Sequence, residues 1–510
     1  MRAPHSAPNT LQDWMLRGEQ HLGQHAFEDA AHAYHQALLL APDNRYARFW
    51  LGESLFHLGR YADTVAVLTD LGPDDDAALA LECALTLGRA LQLTGNTALA
   101  EVTLLQAFVA HPHSEAAAYN LAVFYEQENQ PAQALQFLEP SAQRFPQSAR
   151  LHYNLGANRA TCGQTEAALQ AFEQTLRIDP RHLQAHQNLA LVHLRQGDLQ
   201  TGWAHYAWRF NRHQMEGAPA QWTPRTPTLP LNLTGVTVAL WGEQGLGDEM
   251  FFLRYLPLLK MRGATVLYRT SNAKLRPLLA QWQMQGLIDH VLASDAPLMD
   301  GAVPLLIGDL PLALGAMDYP PSLRLTADPT AVQSWQKRYP LLARARPRLG
   351  LTWRAGMAQP QTNADGNRWL SKEVPLSALV AMLAPLDVDV VILQRKPVPD
   401  ELAWVQAQLG PSRCLDASAF DQDLPELLAL LSTLDGLLGV SNTNVHLMAA
   451  LGKGGDILVP APAEFRWQDA GTASPWFADF QAVRQQQSSD WDEALGLLQT
   501  ALAKRYPART

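Results

Sequence analysis

Three cysteines among 510 residues organise nothing. Cys83, Cys162 and Cys414 lie far apart and match no metal-ligand or dithiol spacing. That excludes a disulfide framework, a zinc finger and C-x-x-C redox chemistry; the thiols read as buried groups in a reducing compartment. Basic charge is also scarce. Lys and Arg number 39 against 49 Asp and Glu, for a net charge of -10. A nucleic-acid binder usually carries a basic face, and this balance argues against one. No stretch approaches the ~18 continuous apolar residues of a membrane span. Met1–Trp14 has no apolar h-region, so a cytoplasmic chain is expected. The P-loop lysine motif and the G-x-G-x-x-G turn are both missing, which argues against nucleotide hydrolysis and dinucleotide binding.

What is present first is a repeat. Pro112, Pro146 and Pro180 are each 34 apart, closing "AFVAHP", "SAQRFP" and "TLRIDP", and Pro42 closes "ALLLAP". A period of this length marks stacked supersecondary units. A small residue recurs early in each unit (Gly18, Gly52, Gly88, Ala122, Gly156, Ala190). Another recurs later (Ala30, Ala100, Ala134, Ala168), with a bulky residue four positions on (Tyr34, Leu104, Leu138, Phe172). Small residues let two helices approach, the large one fills the space beside them, and the proline stops the second helix.

On these residues the N-terminal part resembles the tetratricopeptide repeat. Its units fall at roughly 11–44, 45–80, 81–114, 115–148 and 149–182, with a divergent sixth at 183–212. Such repeats stack into a superhelix with a concave groove. Asn120, Asn154 and Asn188 hold one register in three successive units. Amides so placed can pair with the backbone of an extended peptide whatever its sequence. They are similar to the asparagine ladder of O-GlcNAc transferases, although asparagine also occupies this position in repeats that grip no peptide.

The period ends in "GDLQTGWAHYAWRF". Trp203, Tyr206, Trp208 and Phe210 are dense for a surface helix and are expected to pack the last repeat on the next domain. A connector at 216–232 contains Pro219, Pro224, Pro227 and Pro230 and reads as extended chain. Short apolar runs then alternate with helical stretches: "VTVALW", "ATVLYR", "HVLAS" and "VPLLIG", followed by "RLGLTW", "DVVILQ", "RCLDA", "DGLLGVS" and "GDILVP". Near-continuous apolar strands predict parallel sheets covered on both faces. A break at 328–345 separates two such units, 233–327 and 346–510. The expected fold class is α plus α/β, a repeat superhelix over 1–215 followed by two Rossmann-like domains.

The stretch "WGEQGLGDEMFFLRYLPLLKMRG" is strand, turn and helix, closed by Gly263. Ligands in such sheets bind at the carboxyl ends of strands. Glu243, Gln244, Gly245, Gly247 and Asp248 therefore lie at a cleft. A carboxylate there faces a ligand or caps the helix. "DGLLGVSNTNVHLMAALG" repeats the pattern, with Ser441, Asn442, Thr443 and Asn444 at the helix start and His446 one turn in. Free amides and the helix dipole suit an anion such as a diphosphate, and no carboxylate competes. Ser and Asn also cap helices that hold no ligand.

Together these stretches resemble the glycosyltransferase family that includes the ADP-heptose:lipopolysaccharide heptosyltransferases, in particular its tetratricopeptide-fused bacterial branch. The match is collinear over about 270 residues, ending in "FRW…SPWF…VRQ" and "DWDEAL". The resemblance implies a GT-B type fold with Asp248 as catalytic base. It implies a nucleotide-sugar site on Arg354 after "LGLTW", Lys372 in "SKEVPLSAL", Gln394 ending "VVILQ", and Ser441, Asn442, Thr443, Asn444 and His446. Ser441 and Asn442 stand where the family usually carries Asp-Thr. His446 is either a ligand or a packed helix residue.

The implied reaction is inverting and metal-independent, with no cofactor besides the nucleotide-diphosphate sugar. Lys372 and the helix start would offset the leaving charge. The repeats imply a protein acceptor, and in some relatives of this architecture that acceptor is flagellin. Two other readings are transfer to lipopolysaccharide core or another glycan, with the repeats recruiting a partner, and a non-catalytic scaffold with a degenerate transferase domain.

Overall fold

The computed structural model describes residues 10–69, 71, 76–209, 228–293, 296, 299–355, 372–486 and 490–508. Phe210 and most of the expected connector lie outside them. The chain divides into two compact units, Met1–Pro180 and Arg181–Thr510.

The first unit is a run of helical hairpins. Leu11–Gly23 pairs with Phe27–Leu40, Arg45–His57 with Tyr61–Thr69, and Ala77–Leu93 with Thr97–Ala110. Glu115–Gln127 then pairs with Pro131–Arg144, and Ala149–Thr161 with Thr165–Ile178. Short polar side chains start several of the first helices. Asn44 Oδ1 accepts from the Ala47 N–H at 2.9 Å, and Ser114 Oγ from that of Ala117 at 3.1 Å.

The small-to-large spacing of the sequence is the packing itself. A Cβ on Gly18 would stand 2.5 Å from the Tyr34 ring. On Gly52, Gly88 and Gly156 it would stand 2.6 Å from Leu68, Leu104 and Phe172. The irregular second repeat thus keeps the rule: Leu68 is its bulky residue, and the fully buried Thr64 takes the small position.

The second unit opens with one more hairpin, Leu183–Gln196 and Leu199–Tyr206. Two sheets follow. The first holds β1 (Thr237–Trp241), β2 (Thr265–Arg269), β3 (His290–Val291) and β4 (Val303–Leu306), ordered β3-β2-β1-β4 and parallel throughout. The second holds β5 (Arg348–Leu351), β6 (Asp389–Ile392), β7 (Cys414–Asp416), β8 (Gly436–Val440), β9 (Gly455–Val459), β10 (Ala473–Ser474) and β11 (Phe477–Arg484). Its order is β10-β11-β9-β8-β5-β6-β7, with only the short β10 antiparallel.

Both faces of the strands are covered, which is why they read as unbroken apolar runs. Val238 and Leu240 of β1 enter one core while Ala239 and Trp241 enter another. The stretch expected as a break at 328–345 contains the helix Pro329–Arg338. Trp203 and Tyr206 join the core of this second unit, with the Trp203 ring 6.0 Å from Phe252 and 5.9 Å from Phe465. Trp208 instead stacks on His186 of its own hairpin, at 4.4 Å. Among the described residues no helix is long and apolar enough to cross a membrane.

Candidate functional site

β1 delivers the chain to a turn and then to the helix Leu246–Phe252. Asp248 is the third residue of that helix, and its Oδ2 accepts from the Gly245 N–H at 3.2 Å. One oxygen therefore closes the helix start. The other, Oδ1, is paired with Arg466 Nη2. The Asp248 side chain is 28% exposed while that of Arg466 is buried, so the carboxylate is the solvent-facing member of the pair.

Gly247 brings this turn against the helix that follows β8, Thr443–Ala450. A Cβ on Gly247 would lie 3.3 Å from the His446 ring. β8 reaches its place because Gly439 adopts φ 146°; a Cβ there would lie 1.8 Å from the Thr352 carbonyl oxygen. Only glycine fits such an approach. At the helix start Asn442 is the cap, its Oδ1 accepting from the Asn444 N–H at 2.9 Å. Its Nδ2 donates to Thr352 Oγ1 at 3.1 Å.

The expectation that no carboxylate competes at this helix start is corrected by Glu464. Its Oε2 accepts from Lys372 Nζ and, at 3.3 Å, from Ser441 Oγ. Its Oε1 accepts from Arg466 Nη1. The chain returns after β9 and inserts this acid from a segment that carries no local sign of it. Burial opposes ionisation of Glu464, but Lys372 and Arg466 override it and hold the carboxyl well below the usual range. Burial likewise opposes the charge on Arg466, and Glu464 and Asp248 outweigh it. The Arg466 guanidinium lies 4.6 Å from the Phe251 ring centroid and 4.8 Å from that of Phe465. Lys372, Glu464, Arg466 and Asp248 thus form one continuous chain of alternating charge.

His446 lies beside this chain. It is 5% exposed, with the Phe477 ring edge-on at 5.2 Å. Burial first, then Arg466 and Arg254, push its pKa well below the ordinary value.

The other residues singled out in the sequence are engaged elsewhere. Arg354 is buried, and its Nη2 donates to Glu401 Oε2 at 2.8 Å. Gln394 Oε1 accepts from the backbone N–H groups of Trp353 and Arg354, both at 3.0 Å, locking the end of β5 to that of β6. Glu243 is fixed by the buried Arg209, whose Nε donates to its Oε2 at 3.0 Å. Gln244 Nε2 donates to the Tyr206 hydroxyl at 3.0 Å. In the repeats, Asn120 Nδ2 donates to Ala116 O of its own helix at 2.9 Å. Asn154 is buried and its Nδ2 has no hydrogen-bond partner. Asn188 is half-buried in the second unit.

Sequence reading missed Glu464, the role of Arg466, and Arg254. The Arg254 side chain is buried, and its donors go to the carbonyls of Phe251, Pro320 and Trp476 and to Ser322 Oγ. Burial lowers its pKa to about 9. Among the described residues no group of three or more His, Cys, Asp or Glu side chains is placed to hold a metal ion.

The chain carries tetratricopeptide repeats: the family profile of that description matches residues 15–78 and 159–206. Protein FlbA of Caulobacter vibrioides is 25% identical over 512 residues, covering 93% of this chain and 81% of its own. Among solved structures, MamA from Desulfovibrio magneticus RS-1 is 17% identical over 35% of this chain and 99% of its own, with a TM-score of 0.31. YrrB, described as a TPR protein with an unusual peptide-binding site, is 19% identical over 34% of this chain and 90% of its own, with a TM-score of 0.29.

Proposed function

We propose that the chain is an inverting glycosyltransferase that moves a sugar from a nucleotide-diphosphate donor to a protein acceptor recruited by the repeats. One observation carries the reading. The candidate base Asp248 and the candidate phosphate ligands Lys372 and Ser441, far apart in sequence, belong to one chain of contacts through Arg466 and Glu464. The strand orders β3-β2-β1-β4 and β7-β6-β5-β8-β9-β11 support two Rossmann-like halves of GT-B type.

Asp248 stands at the carboxyl end of β1 and takes the proton of the acceptor hydroxyl as that oxygen attacks the anomeric carbon. The leaving diphosphate settles on Lys372 and the start of the Thr443–Ala450 helix, whose dipole favours negative charge. These groups supply the positive charge, so this reading needs no metal. Buried His446 packs against the turn at Gly247 rather than pairing with phosphate. Arg354 and Gln394 fix the strand ends beneath the site.

A second reading, a non-catalytic scaffold, is favoured by Glu464, which already neutralises Lys372. Calorimetry with a panel of nucleoside diphosphates separates the two. Binding is expected, and Lys372→Ala should weaken it by about 1.5–3 kcal/mol, the value of a charge-assisted contact. No binding by the native chain, together with no glycosylated protein lost on gene deletion, would leave the scaffold.

A further inference from the structure

Lys372, Glu464, Arg466 and Asp248 contribute two cations and two carboxylates, so the cluster as it stands is neutral. A neutral cluster exerts little pull on an incoming diphosphate. Lys372 Nζ and Ser441 Oγ are the donors a phosphate would use, and both point at the same atom, Glu464 Oε2. A carboxylate oxygen mimics a phosphate oxygen: it carries the same sign of charge and accepts the same donors.

Building on the glycosyltransferase reading, we propose that Glu464 is a built-in occupant of the diphosphate site, its carboxylate filling the anion position between Lys372 and Ser441 until the donor displaces it onto Arg466. A displaced buried carboxylate needs a cation to receive it. Arg466 meets that need: it already holds Oε1, and its Nε has no hydrogen-bond partner. The backbone can stay still meanwhile. Glu464 precedes the short turn Phe465–Trp467, and both aromatic residues of that turn are buried in the core. The occupant also sets selectivity. An anion with one weak charge gains little by evicting a carboxylate, whereas a diphosphate brings several charges to the same donors.

The test is calorimetry of inorganic pyrophosphate on the full chain and on Glu464→Gln, which keeps the shape and removes the charge. The variant is expected to bind pyrophosphate at least tenfold more tightly. Unchanged or weaker binding overturns the proposal. Thermal unfolding without ligand checks the fold. Should the Gln variant not fold, Glu464→Asp serves: a carboxylate drawn back by one methylene should bind pyrophosphate several-fold more tightly, and no gain again overturns the idea. Nucleoside diphosphates run in parallel keep the two readings apart. If they bind no better than pyrophosphate to either protein, the nucleotide donor fails even where the Gln gain stands. If they bind well and the Gln variant shows no gain, the occupant fails and the donor stands.

Discussion

Among the described residues, the first unit buries no arginine, lysine, aspartate or glutamate, whereas the second buries eleven such side chains. The repeats are held by apolar and small residues passed from one helix to the next. Such a stack is a sum of local contacts, and each repeat depends on its neighbours alone. Charged side chains there keep some exposure, and surface pairs such as Arg60–Asp63 contribute little. The second unit is assembled differently. Arg209 ties the hairpin Leu183–Tyr206 to the turn after β1 through Glu243 and to Asp309. Arg254 joins three separate segments, and Arg466 joins the Asp248 turn to the loop after β9. Buried ion pairs stabilise little on balance, because desolvation offsets most of the attraction. They are better understood as fixing where particular charges stand. The unit that buries charge is the unit that carries the candidate chemistry.

The sharpest way to break that contrast is Asp248→Asn. Loss of a general base typically lowers the rate by about 10²–10⁴. The amide can still accept from the Gly245 N–H, so the start of the helix Leu246–Phe252 should persist. Transfer assays with the native acceptor check this, and near-normal turnover would remove Asp248 from the chemistry.

Arg209→Ala probes the same contrast through stability. It takes the guanidinium away from two buried carboxylates, Glu243 and Asp309, at 4% and 1% exposure. Removing one partner of a buried pair costs about 3–5 kcal/mol. Adding Glu243→Gln should recover part of the loss, because one stranded charge disappears. A loss below ~1 kcal/mol by denaturant titration would mean that water reaches the carboxylates.

Most of the framework was legible because it rests on short-range pattern. The first nine strands fall on the apolar runs, and the small-to-large spacing of the repeats is the contact seen in space. β11 escaped because "FADFQAVR" alternates irregularly between buried and exposed and contains no apolar run. The site was legible only where a motif is local, as at Asp248 and at Ser441–Asn444. Glu464 was not, because its partner Lys372 lies 92 residues away and an acid gives no sign of which cation it will meet. Arg354 and Gln394 show the reverse limit. Their types suit a ligand, yet Arg354 is paired with Glu401 and the Gln394 carbonyl is held by the backbone just beyond β5.

The smallest expected effect tests the repeat side of the comparison. In the fifth repeat Gly156 faces Phe172, and the same two positions of the fourth repeat hold Ala122 and Leu138, both fully buried. Gly156→Ala would place a Cβ 2.6 Å from the phenyl ring, too close for any real contact. Overpacking of this kind costs about 1–3 kcal/mol, less what alanine returns by its better helix propensity, ~1 kcal/mol. If each repeat really is a local small-to-large pair, the neighbouring unit already shows the cure. Gly156→Ala combined with Phe172→Leu recreates the Ala122–Leu138 pair and should restore most of the lost stability. Phe172→Leu alone should instead destabilise, since it opens space beside a glycine. Denaturant unfolding of the four chains gives the cycle directly. Additive losses, with no rescue in the double variant, would show that Gly156 and Phe172 do not act as a local pair.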